Sequence, residues 1–419
     1  MGKPDRTHVV IVGAGFAGLA CARALTDSAC RVTVLDRNNF HLFPPLLYQV
    51  ATGFLQTDDI AVPLRSLLDP RRGLQFRQAA VNGIDPERRQ VLIADDEPLA
   101  YDILVLACGS VTQFHGVDLG ADGYDLKSLQ GALALHDHLI DTLERASRET
   151  NPQRRQAWLT YAVVGGGPTG VEFAGALADL AHGMVRRDYP EIGTGEMRIV
   201  LLQSGPAVLP AFAPPLRDEA ARILARRGVL IRRGARVQRW SKAGVALAGG
   251  EIIAARTLLW AAGVTTPAWT QALPLPHAED LRLTVDTDFS VPGHAEIFVV
   301  GDLASHPARL PQVAPAALQA GRHVGRLLRR RLRGAREPAA FRYRDRGNMA
   351  ALGRLTAVAE IKPLGLTLEG ALAWFAWLGL HLFYLVGFRN RLGALLDWGY
   401  DYVKPNCANR LNLTAAARK

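Results

Sequence analysis

The stretch His8-Val-Val-Ile-Val-Gly13-Ala-Gly15-Phe-Ala-Gly18 opens with apolar residues and runs straight into a Gly-x-Gly-x-x-Gly loop. An apolar run of this kind suits a buried parallel strand, and the residues after the loop read as a helix. The first glycine allows a tight turn, the second lets a pyrophosphate approach the backbone, and the third lets the helix pack closely on the strand. The helix N-terminus then offers free N–H groups and a positive dipole end to the phosphates. About 150 residues on, the pattern returns as Tyr161-Ala-Val-Val-Gly165-Gly-Gly167-Pro-Thr-Gly170-Val-Glu172. One such loop is weak evidence. Two in strand–loop–helix context imply two dinucleotides in one molecule, between which electrons pass.

The residue closing the next strand sharpens this. Arg31-Val-Thr-Val-Leu-Asp36 ends in a carboxylate roughly twenty residues past the first glycines, where it can bind ribose hydroxyls. Arg198-Ile-Val-Leu-Leu-Gln203 is the equivalent strand of the second unit, but it ends in an amide. Two further strands end in small-residue turns, Tyr101-Asp-Ile-Leu-Val-Leu-Ala-Cys108-Gly109-Ser110 and Thr257-Leu-Leu-Trp-Ala-Ala-Gly263-Val264, where backbone can come close to a cofactor. Glu296-Ile-Phe-Val-Val-Gly301-Asp302 ends in a carboxylate able to accept hydrogen bonds from polyol hydroxyls.

At 419 residues the chain is long enough for two or three domains, and 49% hydrophobic with 21% charged residues is a globular composition. The four cysteines, Cys21, Cys30, Cys108 and Cys407, form no C-x-x-C or metal-like spacing. A reducing compartment and no metal site follow. The net charge of +10 admits nucleic acid or an anionic membrane as partner. No nucleic-acid motif is present, and the C-terminus favours the membrane. From Gly370 to Phe388 runs an uncharged, aromatic-rich stretch followed by Arg389 and Arg391. It would nearly span a bilayer, yet its composition suits a segment lying in the membrane interface. Leu392 to Tyr402 is a second, amphipathic stretch. A buried helical hairpin is the plain alternative.

These residues resemble the type II NADH:quinone oxidoreductases, single-subunit respiratory dehydrogenases that pump no protons. The resemblance covers nearly the whole chain. Its specific parts are Phe40-His-Leu-Phe-Pro-Pro-Leu-Leu-Tyr-Gln-Val-Ala-Thr-Gly53, the loop from Val164 to Gly175, Trp260-Ala-Ala-Gly-Val264, and Trp374 through Val386-Gly-Phe-Arg-Asn-Arg391. It implies an α/β fold with two Rossmann-like dinucleotide-binding domains and a C-terminal membrane-docking domain. The FAD domain would be discontinuous, over 1–115 and 280–340. The NAD(P)H domain would cover 116–279, and the membrane-associated part 341–419.

By position the resemblance puts Gly13, Gly15, Phe16, Ala17 and Gly18 at the FAD pyrophosphate. It puts Asp36 and Arg37 at the adenosine ribose, and Asp302 with Gly301 at the ribityl-phosphate end. Val81, Ala107, Gly109 and Ala317 would also touch the flavin nucleotide, and Pro45 and Leu46 would lie against the isoalloxazine. Gly165, Gly167, Pro168, Thr169 and Gly170 would hold the nicotinamide dinucleotide, with Gln203, Ala262 and Gly263 around it and Glu172 near the nicotinamide. Gln319 would sit at the flavin edge facing a quinone. Glu172 and Gln319 are thus the candidate catalytic residues. The implied cofactors are FAD and NADH, with NADPH admitted. The implied partners are a quinone and the lipid surface on the cytoplasmic face of the cell (inner) membrane, with peripheral, monotopic attachment and a homodimer left open.

Two departures stand out. The family's quinone-side text usually reads Ala-Gln-x-Ala-x-Gln, whereas here it is Ala314-Pro315-Ala316-Ala317-Leu318-Gln319, so Pro315 replaces an amide. Gln203 stands where the family usually has glutamate. Thiol relays are excluded, because no Cys-x4-Cys pair follows the first loop and only Cys407 lies beyond Cys108. Electrons must leave the flavin directly. The competing readings are a soluble reductase serving an iron–sulfur protein or oxygen, and a redox sensor with little turnover.

Overall fold

The computed structural model describes residues 6–120, 123–193, 195–335, 339–403 and 409–412. Two compact units emerge, one from 1–42, 62–111 and 264–345, the other from 43–61, 112–263 and 346–419. Cys407, counted above, lies outside the described residues.

Each unit is organised by one of the glycine loops. In the first, the strand His8–Val12 is flanked in parallel by Arg31–Asp36 and Ile103–Leu106. Leu74–Gln78 and His294–Val299 extend the parallel sheet, and Ser290–Val291 closes it as an antiparallel edge. Val9, Val10 and Ile11 have no exposed surface, as expected of a central strand covered on both faces. Helix α1 (Phe16–Ala24) leaves the loop with Gly15 as its N-cap.

The second unit repeats the plan. Thr160–Val164 lies between Arg198–Gln203 and Thr257–Trp260, and Val229–Arg233 and Gly123–Asp125 extend the sheet, all in parallel. Helix α2 (Pro168–Leu180) leaves the loop with Gly167 as N-cap and Pro168 at its first position, where a missing N–H costs nothing. The polar stretch ahead of the second loop forms the helices Leu129–Arg148 and Pro152–Trp158.

In the first unit, helix α3 (Ala314–Arg331) packs on α1. Gly321 and Gly325 face the backbone of α1 so closely that a methyl at either would run into the carbonyl of Ala17 or Cys21. Pro315 falls in the first turn of α3, which explains how the helix tolerates it.

In the second unit, the antiparallel strands Asn348–Gly353, Thr356–Ile361 and Leu366–Glu369 form a small sheet, with α2 packed on its first strand. The apolar run expected from Gly370 to Phe388 is not one helix. Helix α4 (Gly370–Tyr384) ends before Gly387, whose φ of +92° is left-handed, and α5 (Phe388–Val403) begins after it. Fifteen residues give about 22 Å of helix against the ~30 Å of a bilayer core. No helix among the described residues is long and apolar enough to cross a membrane.

Candidate functional site

The first loop is a cradle with tight sides and an open mouth. Gly13 has φ +101°, and a methyl there would overlap the carbonyl of Ala107. A methyl on Gly18 would strike the carbonyl of Gly13. A methyl on Gly15 would meet no protein atom within 4 Å, and neither would one on Gly109. The first turn of α1 holds no acidic residue, and no side chain caps it, so its N–H groups face that open space with a positive field. An anion such as a pyrophosphate fits there.

Asp36 closes the cradle. Its Oδ2 accepts the N–H of Ala14 at 2.7 Å and its Oδ1 accepts that of Asn38 at 2.8 Å. Burial pushes its carboxyl above the usual aspartate range. Each oxygen keeps a second lone pair for a ribose hydroxyl. The carbonyl of Arg37 accepts from Gln78 Nε2 at 3.0 Å.

Asp302 is fixed by Ser110, whose Oγ donates to its Oδ2 at 2.7 Å. Gly301 lies against Ala17 and Ala317. Val81 begins the strand Val81–Asp85 of a separate antiparallel sheet. Sequence reasoning missed Ser110 as a brace, and it missed His41. The Nδ1 of His41 bonds the carbonyl of Ala14 at 2.8 Å, and its ring meets Phe16 edge-on at 5.7 Å. Burial pulls that imidazole down to about 4, so it stays neutral. Neither role carries a sequence signal beyond a polar residue beside the motif.

Gln319 is engaged on both sides of its amide. Its Nε2 donates to the carbonyl of Arg344, and its Oε1 accepts the N–H of the same residue, each at 3.0 Å. One N–H and one lone pair remain.

The second cradle repeats the plan of the first. Gly165 has φ +106° and lies against the carbonyl of Ala261 at a would-be methyl distance of 2.7 Å. A methyl on Gly170 would strike the carbonyl of Gly165, and one on Gly167 would meet nothing within 4 Å. Gln203 Oε1 accepts the N–H of Gly166 at 2.8 Å, as Asp36 does for Ala14. Its Nε2 lies on the side of Gly205. The carbonyl of Ala262 accepts from Trp260 Nε1 at 2.7 Å, and a methyl on Gly263 would press on His115. Arg232 pairs with Glu251 at 2.7 Å, whereas Arg233 lies directly across from Gln203 in register. Thr169 lies in the first turn of α2.

Glu172, in the second turn of α2, faces the C-terminal elements of its own unit. Its Oε1 accepts the N–H of Ala351 and the Nε1–H of Trp377, each at 3.2 Å. Burial pushes its carboxyl up to about 8, against the pull of those two bonds, so it is protonated at neutral pH. Trp377 stacks on His381 at 4.1 Å, and His381 meets Phe43 edge-on at 6.0 Å. Burial draws His381 down to about 4. It is a packed, neutral histidine. Phe43 leads into the Pro44–Leu46 turn, which carries Pro45 and the buried Leu46.

Two cradles of one design, each with an open anion mouth and a polar closing residue, define a dinucleotide-dependent oxidoreductase. The comparisons agree. A family model for pyridine nucleotide-disulphide oxidoreductases matches residues 7–321. The chain is 37% identical to "Type II NADH:quinone oxidoreductase Ndh" of Mycobacterium tuberculosis, over 96% of this chain and 89% of that one. It is 36% identical to NdhA of the same organism, over 95% and 87%. The fold is similar to that of NDH2 of Plasmodium falciparum, solved in complex with NADH, with TM-score 0.87 at 18% identity over 95% of this chain and 98% of that one. The chain belongs to the type II NADH:quinone oxidoreductases. Cys21, Cys30 and Cys108 are free thiols.

Proposed function

We infer that this chain oxidises NADH at a bound FAD and delivers the electrons to a quinone without pumping protons. The duplicated cradle carries this reading, since two dinucleotides held without an intervening thiol pair leave direct transfer as the route. Gly13, Gly15, Gly18, Asp36 and Asp302 of the first cradle would hold FAD, which would supply the redox chemistry linking reduced nicotinamide to the acceptor. The protein's share is geometry. Gly13, Gly15 and Gly18 admit one pyrophosphate, Asp36 accepts from its ribose, and Asp302, held by Ser110, takes the polyol end. Gly165, Gly167 and Gly170 admit the other. Glu172 stands ready as a protonated acid, and the free N–H and lone pair of Gln319 face the acceptor. The FAD part is assigned to 1–115 and 280–340, the nicotinamide part to 116–279 and the lipid-facing part to 341–419, although 43–61 and 346–419 pack into the same unit as the second loop.

The membrane reading rests on an apolar row. Leu372, Phe375 and Phe383 on α4 and Phe388, Leu395 and Leu396 on α5 are all exposed, and Arg389 and Arg391 flank them. A row this large marks an interaction surface, and aromatic residues beside arginines suit a lipid headgroup layer. The enzyme docks peripherally, on the cytoplasmic face where NADH is found.

The test is anaerobic reduction of the purified yellow protein by NADH, followed by separate additions of a quinone analogue, an iron–sulfur protein and oxygen. Bleaching by NADH with rapid recovery on quinone is expected. Absence of bleaching, or recovery only with the iron–sulfur protein, would overturn the reading.

Cofactor choice follows from Gln203. Its oxygen is committed to Gly166, so its N–H2 is the free end and presents donors, not charge. A glutamate would place an anionic oxygen there and repel a 2′-phosphate. NADPH is therefore accepted beside NADH. Gln203→Glu should raise the kcat/KM ratio of NADH over NADPH by about 10- to 100-fold, the equivalent of ~1.4–2.8 kcal/mol. An unchanged ratio would show that Gln203 is not the selector.

A further inference from the structure

Helix α5 has two unlike faces. Its outward row is the apolar one. Its inward row, Asn390, Gly393, Ala394, Asp397 and Trp398, repeats at the spacing of one helical face. That row meets the segment running on from the Pro44–Leu46 turn. Trp398 Nε1 donates to Gln49 Oε1 at 2.6 Å, and Gln49 Nε2 donates to the Tyr48 hydroxyl at 2.9 Å. Asn390 Nδ2 donates to the carbonyls of Asp58 and Ala61. Between these ties the buried Asp59 carboxyl reaches α5 at Gly393, where any side chain would collide with its Oδ1. Asp397 stands one turn further along the same face of α5, close enough for its charge to raise the Asp59 carboxyl. The Oδ2 of Asp59 is held by the N–H of Gln56 at 2.9 Å.

Two carboxyl groups can bond each other only while one keeps its proton. We propose that Asp59 and Asp397 are positioning residues for quinone reduction: one shared proton clamps α5 onto the segment Thr57–Ile60, thereby holding the Pro44–Leu46 turn, and loss of the proton opens the clamp. The proposal rests on the quinone reading given above.

The charged groups around the pair do not replace that proton. Asp58 adds negative charge from the same turn. Arg389 reaches Asp58 at 3.4 Å but is almost fully exposed, and Arg391 turns to the carbonyls of Leu385 and Phe383. Burial, followed by Asp397 and Asp58, pushes Asp59 up to about 7. A carboxyl raised in the clamped form stabilises it fully below its ordinary value of about 4. That stabilisation falls as pH rises and is gone above about 7.

The test compares NADH oxidation with a soluble quinone analogue and with ferricyanide between about pH 6 and pH 8.5. In the wild type the KM for quinone should rise about threefold or more across that range while the ferricyanide rate shows no matching change. Asp397→Asn can donate to an ionised Asp59 at any pH, so its profile should be flat. Asp397→Ala should show the high KM throughout. An Asp397→Asn enzyme with the wild-type pH slope would overturn the clamp. Hydrogen exchange over residues 388–403 of the holoenzyme gives an arm independent of quinone. After correction for intrinsic rates, opening should increase as pH rises toward about 7 in the wild type, level off above that, and show no such rise in Asp397→Asn; equal behaviour would also overturn the clamp. If the wild type bleaches with NADH but reduces no quinone, the functional reading fails while hydrogen exchange still judges the clamp.

Discussion

A Gly167→Ala enzyme will remain yellow and fold with an unchanged Tm, yet NADH will bleach it poorly. The added methyl meets no protein atom within 4 Å, so the fold has no reason to object. It occupies the space a pyrophosphate needs at the N-terminus of α2. Gly170→Ala fails by the opposite route, because its methyl collides with the carbonyl of Gly165 and forces helix and strand apart. Overpacking of that kind costs about 1–3 kcal/mol, or roughly 5- to 150-fold in affinity. Both variants should keep their FAD, since the first cradle is untouched. The pair separates ligand exclusion from structural damage: only Gly170→Ala should lose Tm along with NADH affinity. If Gly167→Ala is reduced by NADH at the wild-type KM, the second cradle does not hold the nicotinamide dinucleotide.

The next largest effect is expected on lipid. Phe383, Phe388 and Leu396 are 65%, 81% and 61% exposed. Replacing all three by glutamate removes about 2 kcal/mol of burial each on docking, or ~6 kcal/mol and some four orders of magnitude in partitioning. Repulsion from anionic headgroups adds to this. The triple variant should leave the pellet in vesicle co-sedimentation while retaining NADH:ferricyanide activity. Sedimentation equal to the wild type would mean that another surface docks. Deleting 365–419 is a poorer experiment. It strips Trp377 from Glu172 and Trp398 from Gln49, leaving buried polar atoms without partners.

The glycine loops, the strands before them and the Asp36 position were legible in the sequence because their geometry is local. Each requirement is met within some twenty residues, and glycine states it openly. The neutral character of Gln203 was legible too, but not that its oxygen would repeat the bond of Asp36 and leave the N–H2 as the free end. The other relations that matter join distant parts. Ser110 and Asp302 lie 192 positions apart, and Glu172 and Trp377 lie 205 apart. No local pattern encodes such pairs. The C-terminal run shows the same limit. Its composition signalled an apolar surface, but not the left-handed backbone at Gly387 that turns one run into two helices.

Glu172 has one more consequence. A carboxylic acid that stays protonated at neutral pH has a C=O stretch set apart from the amide bands and from every ionised carboxylate. This one sits where α2, the strand Asn348–Gly353 and α4 meet, and its frequency responds to the bonds from Ala351 and Trp377. The protein thus carries its own vibrational reporter at the joint between α2 and α4, readable by infrared difference spectroscopy without any label.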